Sequence, residues 1–174
     1  MEILNILVTG PFGAGKTQFI ETISDIPVVS TERKLSDPSS AEGKATTTVA
    51  MDYGRVTMED AVLHLRGTPG QDRFDFMWEI LSREADGYIL LVDAAEPEKL
   101  GEAQLVMDTL GHLDKIPKIV VANKQDLPES LDMDKIRTEM GLPDTVLVMP
   151  CTSTRKSSVK QVLHQLLEQF NDGR

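Results

Sequence analysis

The segment at residues 10–17, GPFGAGKT, constrains the fold of this chain more than any other part of it. It follows an apolar run at 3–8 that is typical of a β-strand and precedes an amphipathic stretch at 17–23 that is typical of an α-helix. Glycines at this spacing let backbone N–H groups turn inward and form a nest for a phosphate group. The sequence therefore predicts a phosphate-binding loop between the first strand and the first helix.

Two side chains of this loop would carry its chemistry. The ammonium of Lys16 is expected between the β- and γ-phosphates of a nucleoside triphosphate, and the hydroxyl of Thr17 is expected to ligate Mg²⁺. A purely structural glycine turn is the alternative, and the Lys-Thr pair after the glycines argues against it. The residues of this region that we expect to contact the nucleotide are Gly10, Phe12, Gly13, Ala14, Gly15, Lys16, Thr17 and Gln18.

The apolar pattern predicts a doubly wound α/β architecture. Short, almost continuously apolar runs at 88–92 and 118–122 predict central parallel strands that are covered on both faces. β-Favouring residues at 47–53 and 61–65 predict an antiparallel hairpin with a turn at 54–60. We therefore expect a single domain, residues 1–174, with a three-layer α/β/α P-loop fold and a six-stranded, mostly parallel sheet containing one antiparallel strand.

The remaining segments complete this expectation. Residues 24–44 are rich in Ser, Pro, Glu and Lys without periodicity, and they are predicted to be mostly irregular. Helices are expected at 99–113 and at 131–140, the second ended by Gly141. A last strand at 146–149 and a last helix follow, and Ser157 and Ser158 are the candidate N-caps of that helix.

A second motif, Asn123-Lys124-Gln125-Asp126, follows the strand predicted at 118–122. Guanine presents an N1–H and an N2 amine side by side, so the carboxylate of Asp126 could accept both hydrogen bonds, whereas adenine has no donor at N1. A mismatch of this polar kind discriminates by about 10⁴-fold. Asn123 is expected to brace the base and the loop, and the stem of Lys124 is expected to lie over the purine ring. The motif predicts a guanine-nucleotide site.

A third segment, at 151–153, ends the last predicted strand and is also expected at the nucleotide. The N–H of Thr152 could donate to guanine O6, and Cys151 and Ser153 flank it. For Cys151, a small buried residue at a strand end is an equally good interpretation.

Charge and composition exclude several classes of partner. The net charge is −10, and a nucleic-acid backbone or an anionic membrane requires a basic face. No apolar run reaches the roughly 18 residues of a membrane helix. Residue 2 is Glu2 rather than glycine, and the tail at 170–174 has no prenylation cysteine. Because Cys151 is the only cysteine, no intrachain disulfide can form. These features predict a cytoplasmic protein without an intrinsic membrane anchor.

With these motifs in place, the chain resembles the Ras-like small GTPases over almost its entire length. Within that superfamily, residues 48–54 (TVAMDYG) and 67–71 look most similar to the prokaryotic branch around the MglA-type proteins. The short C-terminus without a lipid site looks prokaryotic or Arf-like. The matching segments, in the family's order, are 10–17, the threonines at 46–48, 67–71 (GTPGQ), 123–126 and 151–153.

The resemblance implies a guanine-nucleotide-dependent switch that hydrolyses GTP slowly to GDP and phosphate. Residues 28–50 would form the first switch loop and residues 67–85 the second. The second threonine ligand of Mg²⁺ would be Thr48, with Thr47 as the other choice. Gly70 would donate its N–H to the γ-phosphate, and Gln71 would act in catalysis by positioning water. Partners would be protein effectors and regulators, roadblock-type proteins among them.

Two positions depart from the family pattern. Gly67 stands where the family usually has an aspartate that supports the Mg²⁺ shell, and Asp52, on the same strand face as Thr48, is our candidate substitute. Phe12 stands where many members have glycine. These departures motivate an alternative function, a nucleotide-dependent binding module with negligible hydrolysis. Whether an arginine acts as a finger in cis is left open, and the candidates are Arg33, Arg55 and Arg73.

Overall fold

A single β-sheet of seven strands forms the centre of the computed structural model. The structure describes residues 1–36, 46–68, 83–111 and 114–173, and for 31–36 and 46–50 it describes the backbone alone. The strand order is β2-β3-β4-β1-β5-β6-β7. β3 is antiparallel to both β2 and β4, and the other pairs are parallel. The strands are β1 (Glu2–Thr9), β2 (Val29–Ser36), β3 (Thr46–Met58), β4 (Ala61–Gly67), β5 (Gly87–Asp93), β6 (Lys118–Asn123) and β7 (Leu147–Pro150).

Helices cover both faces of the sheet. The helices that the structure describes are α1 (Lys16–Ile23), α2 (Leu100–Thr109), α3 (Met133–Met140) and α4 (Lys156–Asp172). α1 and α4 pack on one face, where Phe19 and Leu163 are fully buried. α2 and α3 pack on the other face, where Ala103 and Ile136 are fully buried. Burying a large apolar side chain stabilises the fold by about 1.5–3 kcal/mol, so the two layers hold the central strands from both sides.

The predicted fold class is confirmed, and the strand count is corrected from six to seven. The additional strand is β2, which lies inside the segment predicted to be irregular and pairs with β3 from Val29↔Tyr53 to Ser36↔Thr46. β2 is an edge strand with charged residues in its sequence. Because one side of an edge strand has no neighbour, its sequence need not be continuously apolar, and the apolar pattern misses it.

The turn predicted at 54–60 is also wrong, because β3 continues to Met58 and the chain turns at Glu59 and Asp60. Gly54 suggested the earlier turn, but it lies within the strand beneath α1. A Cβ built on Gly54 would lie 2.5 Å from Ile20 Cγ2, so the glycine allows close approach of helix and strand.

Two helix boundaries differ from the prediction. The stretch predicted to begin at 99 starts as a short 3₁₀ turn, Pro97–Lys99, before α2. The N-cap of α4 is Arg155, so Ser157 and Ser158 are helical residues and not caps. Gly141 ends α3 in a left-handed conformation, as predicted. No helix in the described part of the chain is long and apolar enough to cross a membrane.

Candidate nucleotide site

The phosphate loop joins β1 to α1 and depends on glycine at three points. Gly10, Gly13 and Gly15 all have positive φ angles, of 144°, 81° and 102°. A Cβ on Gly10 would lie 2.2 Å from the carbonyl oxygen of Leu91, and one on Gly15 would lie 2.4 Å from Asn123 Nδ2. The loop therefore folds against two neighbouring strand ends, and side chains at these glycines would prevent it.

The ammonium of Lys16 lies over the beginning of this loop. Its Nζ donates hydrogen bonds to the carbonyl oxygens of Gly10 at 2.6 Å and Pro11 at 3.0 Å. Burial lowers the pKa of Lys16 to about 8, and the nearby carboxylate of Asp52 opposes this shift. The ammonium of Lys16 has lost part of its hydration and lies beside a nest of backbone N–H groups. A multiply charged anion bound at this loop would therefore stabilise the charged form of the lysine.

The hydroxyl of Thr17 and the carboxylate of Asp52 lie together. Thr17 Oγ1 donates to Asp52 Oδ2 at 2.5 Å. Asp52 pairs directly with Gly67 across the β3–β4 ladder, and a Cβ on Gly67 would lie 3.4 Å from Asp52 Cβ. A carboxylate thus stands on the adjacent strand, directly opposite position 67. Oxygen ligands of this kind suit Mg²⁺, so these side chains fit the ion that the family implies.

Asn123 connects the predicted base motif to the phosphate loop. Its side chain is 1% exposed. Its Nδ2 donates to the carbonyl oxygen of Ala14 at 2.8 Å and to Ser153 Oγ at 3.1 Å, while its Oδ1 accepts from the N–H of Ser153 at 3.1 Å. The amide of Asn123 therefore links the end of β6 to the phosphate loop at Ala14 and to the segment at 151–153.

The rest of the motif lies at the carboxyl edge of the sheet. Lys124 has a φ of 66°, and its Nζ forms an ion pair with Asp93 Oδ2 at 2.6 Å. Asp126 is exposed, so its carboxylate is accessible to a ligand. Asp93 is 4% exposed and ends β5. Asp93 belongs to neither sequence motif and was not among the predicted site residues, although its place at the carboxyl end of a buried parallel strand was a usable signal.

The role predicted for Thr152 requires correction. Its N–H donates to Ser158 Oγ at 2.9 Å and so already has an acceptor, which leaves it unavailable to guanine O6. Ser153 lies in the site through its bonds to Asn123. Cys151 is 2% exposed, and burial raises the pKa of its thiol. The structural interpretation of Cys151 as a small residue at a strand end therefore fits best.

Other predicted residues are on the surface or outside the described part of the chain. The side chain of Phe12 is 71% exposed at the open side of the loop. Gln18 is exposed and donates to Thr22 Oγ1 at 2.9 Å. Gly70, Gln71 and Arg73 lie outside the described residues, and Thr48 lies in β3 without a described side chain, as Arg33 does in β2.

Comparison with known proteins agrees with this geometry. A family profile with the description "Conserved hypothetical ATP binding protein" matches residues 8–173. ADP-ribosylation factor-related protein 1 of Bos taurus is 30% identical over 136 residues, which cover 76% of this chain and 65% of that protein. An uncharacterized protein of Methanocaldococcus jannaschii is 31% identical over 164 residues, covering 94% of this chain and 95% of that protein. ADP-ribosylation factor-like protein 4C of Homo sapiens is 27% identical over 152 residues, which cover 82% of this chain and 71% of that protein.

The match to the bovine relative spans slightly less than two thirds of that protein's length. The predicted resemblance to the small GTPase superfamily is confirmed by these relatives, whereas the closer similarity to MglA-type proteins stays a prediction. The mostly parallel sheet is consistent with a P-loop NTPase fold, which the matched profile also fits. The chain belongs to the family described as conserved hypothetical ATP binding proteins, and its homologues are Arf-related and Arf-like small GTPases.

Proposed function

We propose that this protein is a guanine-nucleotide switch that binds GTP and GDP with Mg²⁺ and hydrolyses GTP slowly to GDP and phosphate. The observation that carries the proposal is the link from Asn123 Nδ2 to the carbonyl oxygen of Ala14, which joins the base motif to the phosphate loop. A loop that binds phosphate alone has no need of a buried contact with a strand end 109 residues away.

The choice of guanine rests on the carboxylate of Asp126. The matched family carries ATP in its description, whereas the Arf-related relatives are small GTPases. A carboxylate at the purine edge accepts from the N1–H and N2 amine of guanine. Facing adenine, it would meet the acceptor N1, and that mismatch costs about 10⁴-fold in affinity. The chemistry of Asp126 therefore favours GTP over ATP.

Hydrolysis in this proposal requires charge neutralisation and an oriented water rather than a covalent intermediate. Lys16 neutralises the β- and γ-phosphates, and Thr17 and Thr48 would hold Mg²⁺, which would supply further neutralisation when bound. Gly70 donates its N–H to the γ-phosphate, and Gln71 orients the attacking water. Unaided turnover is expected at about 10⁻⁴ per second, a rate that suits a timer.

Asp52 is proposed to support the Mg²⁺ shell in place of the aspartate missing at Gly67. Its Oδ2 already accepts from the hydroxyl of Thr17, the residue expected to ligate the ion. Magnesium keeps several of its waters and requires them to be oriented, so a carboxylate beside the ligating threonine can accept hydrogen bonds from those waters.

The wider role is part of the same proposal. As a single domain, residues 1–174, the protein would control partner binding through 28–50 and 67–85, in the cytoplasm, with effectors and roadblock-type regulators as partners. The bound γ-phosphate would order both segments, and its loss would release them.

Competition binding tests the choice of base. Labelled GTP should be displaced by GTP and by GDP, and ATP at 1,000-fold excess should displace little of it, as expected from about 10⁴-fold discrimination. Asp126→Asn should weaken GTP binding by about 100-fold, because one acceptor oxygen becomes a donor facing donors. Glu129 is an exposed residue of the same loop, so Glu129→Gln is the matched control and should leave the affinity for GTP unchanged. Equal displacement by ATP would refute the guanine assignment.

The rate of GDP release, with and without Mg²⁺, tests Asp52. Asp52→Asn keeps an acceptor for Thr17 but removes the charge, so release in Mg²⁺ should accelerate by about 10-fold. In EDTA, Asp52→Asn and the wild type should release GDP at equal rates, because no Mg²⁺ is then bound for Asp52 to support. Asp60→Asn, an exposed residue of the β3–β4 turn, is the control. Unchanged release in Mg²⁺ would show that another group supports the ion.

Single-turnover hydrolysis separates the switch from the binding module. Purified protein loaded with GTP should form GDP and phosphate, and Gln71→Ala should abolish most of this turnover. If the wild type binds GTP tightly but forms no phosphate, and if Gln71→Ala has no effect, the binding module is the correct function.

A further inference from the structure

A second lysine lies against the phosphate loop, and neither the motifs nor the proposed mechanism uses it. A Cβ built on Gly13 would lie 3.6 Å from Lys99 Nζ. Among the described residues that are not adjacent to Gly13 in the chain, Lys99 is the one with an atom within 4 Å of that Cβ. Gly13 is exposed and has a φ of 81°, so this part of the loop forms an open cradle. The ammonium of Lys99 stands at the edge of that cradle.

The turn that presents Lys99 is well held. Asp93 Oδ1 accepts from the N–H of Ala95 at 3.0 Å, and the N–H of Lys99 donates to the carbonyl oxygen of Glu96 at 3.0 Å. Glu96 Oε2 also forms an ion pair with Lys99 Nζ at 2.6 Å. The hydrogen bond to Glu96 raises the pKa of Lys99 above its ordinary value, so the side chain is cationic at neutral pH.

The position of this turn indicates which part of a nucleotide it would contact. It begins at Asp93, which is ion-paired with Lys124 of the base motif, and it reaches the phosphate loop at Gly13. Lys16 already occupies the other end of the loop, over Gly10. The turn at 93–99 therefore lies between the base motif and the phosphate loop.

We propose that Lys99 is a second phosphate-binding lysine, which contacts the α- and β-phosphates of bound nucleotide and slows its release. This inference rests on the proposed function, because it requires a nucleotide in the loop. Glu96 holds Lys99 while the loop is empty and competes with the phosphates for the ammonium afterwards. Since GDP and GTP share these two phosphates, Lys99 should slow the release of both nucleotides alike and should leave the hydrolytic step unchanged.

Release of tritium-labelled GDP from the full chain, chased with unlabelled GDP, tests this role. At low salt, Lys99→Ala should release GDP about 5-fold faster, a size appropriate to a partly exposed charge pair. The difference from the wild type should shrink as salt is raised, because exposed charges are screened. Lys99→Arg should restore slow release. Lys115→Ala removes one exposed lysine just before β6, at the opposite edge of the sheet, and should have no effect.

Glu96→Gln separates a phosphate contact from a structural ion pair, because both variants break the same pair. If Lys99 binds phosphate, Lys99→Ala accelerates release and Glu96→Gln slows it about 2-fold, since a competing negative charge is removed. Acceleration by both variants would mean that the pair only holds the turn, and no change in Lys99→Ala would mean that the lysine touches no phosphate. Either result overturns the inference while the proposed function stands. A wild-type protein that binds no GDP would overturn both.

Discussion

The side chain of Asn123 should contribute to stability as well as to nucleotide binding, and Asn123→Ala measures that contribution. The side chain is 1% exposed and makes three hydrogen bonds, to the carbonyl oxygen of Ala14, to Ser153 Oγ and to the N–H of Ser153. A buried hydrogen bond contributes about 1 kcal/mol net. The alanine variant should therefore lose about 3 kcal/mol of the free energy of unfolding, and water entering the vacated space would reduce this.

Urea unfolding of the nucleotide-free protein, followed by far-UV circular dichroism, is the appropriate measurement, because it removes any contribution from ligand binding. Gln125→Ala is the matched control. Gln125 Nε2 donates two longer bonds, of 3.3 Å to the carbonyl oxygen of Ala122 and 3.2 Å to that of Leu131, from a half-buried position. Its loss should cost about 1 kcal/mol. A cost below about 1 kcal/mol for Asn123→Ala, or equal costs for both variants, would refute this account of the amide as a structural link.

Two further predictions concern Lys16 and Gly54. Lys16 has a pKa of about 8 in the folded chain, below its ordinary 10.5, so between these values the unfolded chain binds more protons and the contribution of this group to stability rises with pH. Phosphate binding should raise that pKa again, so calorimetry near pH 8.5 should show proton uptake on GDP binding, with an enthalpy that depends on the buffer. A binding enthalpy that does not depend on the buffer would contradict the predicted proton uptake by Lys16. Gly54→Ala should cost about 2 kcal/mol in thermal unfolding, because its Cβ would lie 2.5 Å from the buried Ile20 Cγ2. At Gly101, a helical site, a built Cβ would have no atom of the described residues within 4 Å, so Gly101→Ala should instead be neutral or stabilising by up to about 1 kcal/mol. Similar losses of stability at both sites would refute the steric argument.

The chemistry of the site was predictable where it depends on residues close together in the chain. The loop at 10–17 and the motif at 123–126 each follow an apolar strand, and the structure places both at the carboxyl edge of the sheet. The central strand β5 was equally clear, because it is buried on both faces and its sequence is almost entirely apolar. Asp52 was a candidate for the Mg²⁺ site because residues alternate faces along a strand, and its carboxylate accepts a hydrogen bond from the hydroxyl of Thr17.

Features that depend on pairing between distant segments were not predictable in the same way. Edge strand β2 has no apolar pattern that distinguishes it from a loop, and its backbone forms a strand because β3 offers it hydrogen-bonding partners. Gly54 is a typical turn residue by type, and only the packing of α1 on β3 shows that it serves close contact within a strand. The N–H of Thr152 was assigned to a ligand, whereas the start of α4 provides its acceptor, Ser158.

The sequence by itself therefore determined the fold class, the phosphate loop and the base motif, because glycine spacing, strand–loop–helix order and donor–acceptor chemistry are local properties. Tertiary structure alone decided that Asp52 stands opposite Gly67, that Asn123 joins two motifs, and that Lys99 lies beside the loop. Each of these contacts connects residues far apart in the chain. Such contacts are set by strand register and helix packing, which a local pattern does not encode.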